Sequence, residues 1–241
     1  MNSAARVVIT LGSGMAACVL AVLASRDERF EKAVPPLFLI AAALEPAGLL
    51  VAFNEFGSGG DARWAAFTTA GVVGFQFAAL FGALRQSMLL FLAVFFGVLF
   101  WWTGFDLLGM DEAVMAMALG GSLMLAAIGV DRTPHAVITP PWFLFGGIAF
   151  LYGLFDVVGD TPFEILFMLT ARGFVYLSAA IQSRTLLIVA TAAILAYTAW
   201  FTGEHFADSI GWPLALVMFG LLMIGMSALA FRIDRRYIRS R

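Results

Sequence analysis

The sequence predicts an all-α protein, a polytopic transmembrane helix bundle of about nine spans. Three observations carry this. Of the 241 residues, 62% are hydrophobic and 12% are charged, about half the charged share of a soluble domain. Mean hydropathy is +0.95, more apolar surface than a soluble chain of this length can hide. The apolar residues also come in continuous runs of roughly 20, the length that crosses a hydrocarbon core. A membrane β-barrel would instead show alternating segments of about ten residues. This composition excludes a soluble enzyme, a nucleic-acid binder, a disordered chain and a disulfide-stapled secreted domain. The single Cys18 excludes an intrachain disulfide.

The runs fall at 5–24, 35–53, 63–84, 88–105, 112–130, 141–158, 163–181, 185–201 and 210–231. The first is longer than the core of a signal peptide and is followed by the charged segment Arg26-Asp27-Glu28-Arg29, so it reads as a retained helix. The second carries Glu45 and Pro46 near its middle, the third Gln76 and the seventh Arg172. The fourth ends on Trp101-Trp102, which with Trp212 and Tyr237 fits the aromatic belt of a membrane interface. The ninth is followed by the basic string Arg232-Ile233-Asp234-Arg235-Arg236-Tyr237-Ile238-Arg239. This string reads as a stop at the inner face and as a binding place for anionic lipid headgroups through Arg232, Arg235, Arg236 and Arg239. Nine spans use about 180 residues, which leaves short loops and a single membrane domain over 1–241.

Charge sets the expected direction. Arg26, Arg29, Lys32, Arg85, Arg132, Arg184, Arg232, Arg235, Arg236, Arg239 and Arg241 fall on one side. Arg6 and Arg63 fall on the other, and Arg172 lies within a span. Glu55, Asp61, Asp106, Asp111, Glu112, Asp156, Asp160, Glu164, Glu204 and Asp208 take the side opposite the main basic set. The simplest topology has the N-terminus outside and the C-terminus in the cytoplasm.

Three outer turns carry one string: Phe53-Asn54-Glu55-Phe56-Gly57, Phe105-Asp106-Leu107-Leu108-Gly109 and Phe155-Asp156-Val157-Val158-Gly159. At the inner turns, Gln86-Ser87 recurs as Gln182-Ser183. Asn54, Asp106 and Asp156 are read as turn caps, with each glycine supplying a positive φ. The strings suggest parallel two-helix repeats: an N-terminal helix 5–24, then four hairpins over 35–84, 88–130, 141–181 and 185–231. Recurrent turn chemistry explains the strings equally well. Small residues four apart, at Gly14/Cys18, Ala78/Gly82 and Ala118/Ser122, mark candidate close helix contacts.

Polar groups inside spans are the candidate site. A charge at the bilayer centre costs about 2.5–3.5 kcal/mol on insertion scales. Glu45, Gln76 and Arg172 sit at similar expected depth, so Glu45 and Arg172 are expected to pair with Gln76 beside them. Such a group is either a midplane ligand site or a structural pair that sets helix register. A weaker candidate is the outer face, where Glu204, His205 and Asp208 join Asp106 and Asp156. Carboxylates near a histidine suit acid–base work, although their spacing matches no metal motif. No metal or cofactor is expected. No histidine lies in a span to hold haem, Lys32 is the lone lysine and lies in a loop, and there is no Walker loop.

The stretch Phe201-Thr202-Gly203-Glu204-His205-Phe206-Ala207-Asp208-Ser209-Ile210-Gly211-Trp212-Pro213-Leu214-Ala215-Leu216, with Gly220 and the Arg232–Arg241 tail, resembles the C-terminal end of uncharacterised bacterial polytopic inner-membrane proteins, grouped as domains of unknown function. The resemblance covers roughly the last 40 residues. It implies a bacterial inner membrane and carries over no activity. Three functional classes stay open: handling of a small solute, ion or lipid through the midplane site; a non-enzymatic scaffold or accessory subunit; and an enzyme acting on lipid or envelope substrates at the outer face. A water-filled cavity reaching Glu45 would favour the first. A dry, paired and sealed Glu45 would remove its main support.

Overall fold

The computed structural model describes residues 3–57, 61–159, 161, 163–206 and 212–233. Among these, every regular element is helical: α1 (Ser3–Ala24), α2 (Val34–Phe56), α3 (Ala62–Leu84), α4 (Ser87–Leu107), α5 (Glu112–Val130), α6 (Thr139–Val158), α7 (Ile165–Ile181), α8 (Arg184–Phe206) and α9 (Trp212–Ile233). Each apolar run of the sequence coincides with one helix to within a few residues. Among the described residues, seven helices are long and apolar enough to cross a membrane. The apolar α7 is shorter, with 17 residues, or about 25 Å. Half of the side chains of α9 lie outside the described residues.

Local chemistry explains the helix ends. Asp61 and Asp111 cap α3 and α5, each carboxylate accepting a backbone N–H bond of 3.0 Å from the residue two further on. Asp27 opens a 3-10 turn, Glu28–Ala33, in the same way. That turn leads into Pro35-Pro36 in the first turn of α2, where a missing N–H costs nothing. The same device precedes α6: a 3-10 turn, Ala136–Ile138, then Pro140-Pro141. The helix α2 runs on through Pro46. Proline there has no N–H to give to the carbonyl of Ala42, one turn earlier.

The turn strings share a place but not a conformation. Gly109 has φ +68° and closes α4 with the Gly109 N–H on the Asp106 carbonyl and the Met110 N–H on that of Phe105. Gly57 (φ −71°) and Gly159 (φ −59°) do not take a positive φ. Each donates its N–H to the carbonyl of the phenylalanine four residues back, so the helical bonding runs on to the glycine and no reversal falls there. Asn54, Asp106 and Asp156 lie inside the last helical turns and not at caps. The inner turns differ likewise. Left-handed residues end α3 and α7, but they are Arg85 (φ 55°) and Gln182 (φ 63°), so the two Gln-Ser pairs occupy different positions.

The chain divides into two compact units, Met1–Met110 and Asp111–Arg241. In the first, α1 packs along α2, α3 along α4, and α2 touches α3. In the second, α5 packs along α6 and α7 along α8, with α8 also against α6 and α9. The most extensive pairings therefore run across the basic turns, one helix out of step with the hairpins expected from the sequence. The burial register recurs over four helices. Gly14, Ala17, Cys18 and Ala21 are buried in α1, and Gly120, Leu123, Met124 and Ala127 in α5. Phe38 and Gly48 in α2 match Phe143 and Gly153 in α6. Phe77 in α3 matches Phe174 in α7, and Leu89 and Leu92 in α4 match Leu186 and Val189 in α8.

Without a hydrophobic drive between helices in lipid, association rests on close packing and interhelical hydrogen bonds. Glycine provides the packing. A Cβ on Gly48 would lie 2.6 Å from the N and Cα of Leu11, and one on Gly14 would lie 2.8 Å from the N and Cγ of Glu45. Of the three small-residue pairs picked from the sequence, Gly14/Cys18 is buried at a helix contact. Ala78/Gly82 and Ala118/Ser122 are exposed, because four-residue spacing places two residues on one face without saying which face meets a neighbour.

Candidate functional site

The buried face of α2 carries Val34, Phe38, Ala41, Glu45 and Gly48, one stripe at three- and four-residue intervals. It faces α1 and α3, so the sequence places a carboxylate in the middle of a helix contact. Glu45 is 2% exposed. Gln76 on α3 reaches across, and its Nε2 donates to Oε1 at 3.1 Å and to Oε2 at 2.9 Å. The same Nε2 lies 3.5 Å from Cys18 Sγ on α1. Gly14, one turn before Cys18, lets the α1 backbone settle directly on Glu45. Three helices thus meet at one polar point inside an apolar cluster of Phe38, Phe77, Leu89 and Phe96.

The structure brings Glu45 and Gln76 together as expected from their matching depth. Arg172 belongs to the second unit and is exposed on α7. Within the first unit, the hydrogen-bond partner of Glu45 is a neutral amide. Cys18 and Gly14 complete the centre. Their four-residue spacing marks them as a packing pair and gives no sign that they wall a carboxylate.

The acid-rich end of the first unit carries two ion pairs. Arg6 reaches Glu55, and Arg63 reaches Asp106, each at 3.4 Å. These are the two arginines that break the charge rule. Each meets an acid at its own end, so the exceptions are neutralised locally. Both pairs are largely exposed and contribute little to stability. Asn54 is exposed at the end of α2, Asp156 at the end of α6 and Glu204 near the end of α8. The side chain of His205 and all of Asp208 lie outside the described residues, as do Arg235, Arg236 and Arg239, while Arg232 is exposed in the last turn of α9. Among the described residues, no three His, Cys, Asp or Glu side chains gather to hold a metal ion.

The second unit offers a different feature, an apolar trough of about 480 Å³ lined by α6, α7 and α8. At one end the Tyr197 hydroxyl donates to Glu164 Oε2 at 3.5 Å. Its ring stacks on Phe167, with centroids 5.1 Å apart.

Helices of spanning length and composition, covered with exposed Leu, Ile, Val and Phe, are those of a membrane protein. No protein-family model, curated protein or solved structure matches the chain.

Proposed function

We propose that this is a multi-pass membrane protein that acts as a non-enzymatic scaffold or accessory subunit. In this reading the Glu45–Gln76 pair is a register lock for α1, α2 and α3. The observation that supports it is the sealing of Glu45. The carboxylate is 2% exposed, bonded at both oxygens and overlain by the α1 backbone at Gly14. A solute site must exchange its ligand with water, whereas a lock need only be satisfied. A polar group held this way gives helix packing one preferred register.

The test is proton and solute flux in proteoliposomes containing the full chain. A lock predicts no flux that depends on Glu45, and Glu45→Gln, which keeps an acceptor for Gln76, folds normally. A proton flux present in the wild type and lost in Glu45→Gln would overturn the reading. It would favour instead the handling of a small solute, ion or lipid. One observation supports that second reading: Glu45 is followed by Pro46 inside a spanning helix, where the bond a proline cannot make to the Ala42 carbonyl softens the helix next to a buried acid.

The reading places the chain in a bacterial inner membrane with nine spans, the N-terminus outside and the C-terminus in the cytoplasm. It rests there on the one-sided basic residues and on the C-terminal resemblance. Arg232, Arg235, Arg236 and Arg239 then meet anionic headgroups at the inner leaflet.

A further inference from the structure

The trough in the second unit borders α8 at positions where α4 of the first unit carries larger side chains. The fourth helix of each unit follows directly on a left-handed residue, Arg85 or Gln182. Each then buries its early apolar residues in step, Leu89 and Leu92 in α4, Leu186 and Val189 in α8. Carried one turn further, this register sets Phe95, Phe96 and Leu99 of α4 against Ala192, Ala193 and Ala196 of α8. Phe96 is buried and stacks on Phe77, while Phe95 and Leu99 are 43% and 38% exposed. The counterpart of Phe96, Ala193, leaves open space, and all three alanines line the trough.

We propose that the trough holds one acyl chain of a membrane phospholipid. The volume fits. A methylene takes up about the space of a liquid water molecule, about 30 Å³, and a trough of about 480 Å³ has ample room for an acyl chain. The length fits as well: from Ile188 to Trp200, both on the lining, the α8 axis rises about 18 Å. The entrance is lateral, because Ile148, Tyr152 and Ile188 on the lining are 52%, 55% and 64% exposed. Both bordering helices, α6 and α8, are of spanning length, so what enters sideways comes from the bilayer. One end is marked for a headgroup. Trp200 and Tyr197 lie together there, and the Tyr197 hydroxyl is bonded to Glu164 at the start of α7. Aromatic rings with polar edges settle at the level of the headgroups.

The test uses the full chain in vesicles of phosphatidylethanolamine and phosphatidylglycerol, with a trace of phosphatidylcholine bearing a mid-chain diazirine. After irradiation, the label is mapped by peptide mass spectrometry. The expected result is several-fold more label on the α8 peptide around Ala192–Ala196 than on the exposed face of α7 at Tyr176. Ala193→Phe with Ala196→Leu, the side chains present in α4, should abolish that excess and leave the α7 label unchanged. Ala196→Leu alone, a smaller change, should reduce it partly and serves if the double variant does not fold. Equal labelling of the two faces, or an α8 excess that survives filling, overturns the proposal. So does a photo-crosslinker at Ile148 that captures another segment of this chain, or a second copy, in place of lipid.

Discussion

Gly48→Ala tests whether backbone contact holds α1 against α2. The added Cβ would lie 2.6 Å from both N and Cα of Leu11 and 2.7 Å from its Cβ. Two of these are backbone atoms in mid-helix, so no rotamer change relieves the contact. Restoring an ordinary separation of 3.4 Å moves α1 away by about 0.8 Å, which also lifts Gly14 off Glu45. Overpacking of this kind costs about 1–3 kcal/mol. Against it stands the better helix propensity of alanine, about 0.5–1 kcal/mol. The control is Gly12→Ala on α1, where the added Cβ meets nothing within 4 Å and the propensity gain acts alone. The difference between the two variants therefore isolates the steric cost, about 1–3 kcal/mol. Reversible unfolding in mixed micelles measures it. If Gly48→Ala is as stable as Gly12→Ala, the α1–α2 contact is not held by backbone approach, and the account of the Glu45 centre fails with it.

Two further outcomes follow from the same structure. In a double-mutant cycle of Glu45→Ala and Gln76→Ala, unfolding in micelles should give a coupling of about 0.6–1.7 kcal/mol, between the average and the largest values for interhelical hydrogen bonds in membranes. A coupling of zero would mean that the two groups do not share a bond. At the α4 end, Gly109→Ala forces a side chain into φ +68° and should lose about 1–2 kcal/mol, while Gly109→Asn should lose less. Equal losses for the two variants would show that the left-handed conformation is not what holds that turn.

How far the sequence reached varied with the residue. Glu45 and Gln76 were legible as partners because a polar group in an apolar run needs another at its own depth. The caps Asp61 and Asp111 belong to boundaries that any hydropathy reading finds. The turn strings misled, because Phe, Asp and Gly at fixed spacing mark a helix end without choosing its dihedral angles. Gly109 is left-handed and Gly57 is not, although both close the same five-residue pattern. The pairing of helices was equally hidden. The outer-turn strings pointed to hairpins such as 35–84, yet the longest packing in the first unit joins α1 to α2 and α3 to α4. The trough was out of reach too, since Ala192, Ala193 and Ala196 look ordinary until α8 is set beside α4.

By itself, then, the sequence determined that this chain is a membrane helix bundle and where its helices begin and end. Hydrocarbon offers no partner to a backbone polar group, so each span must satisfy its own as an apolar helix, and that demand is written in composition and run length. The tertiary structure alone decided which faces meet. In a span nearly every residue is apolar, so the contrast between a buried and an exposed face, which marks the core side of a soluble helix, is absent. Contact is settled by where a missing side chain lets two backbones approach. That is why Gly14 and Gly48 build a centre around Glu45, while Gly82, equally small, faces outward with nothing within 4 Å of where its Cβ would be.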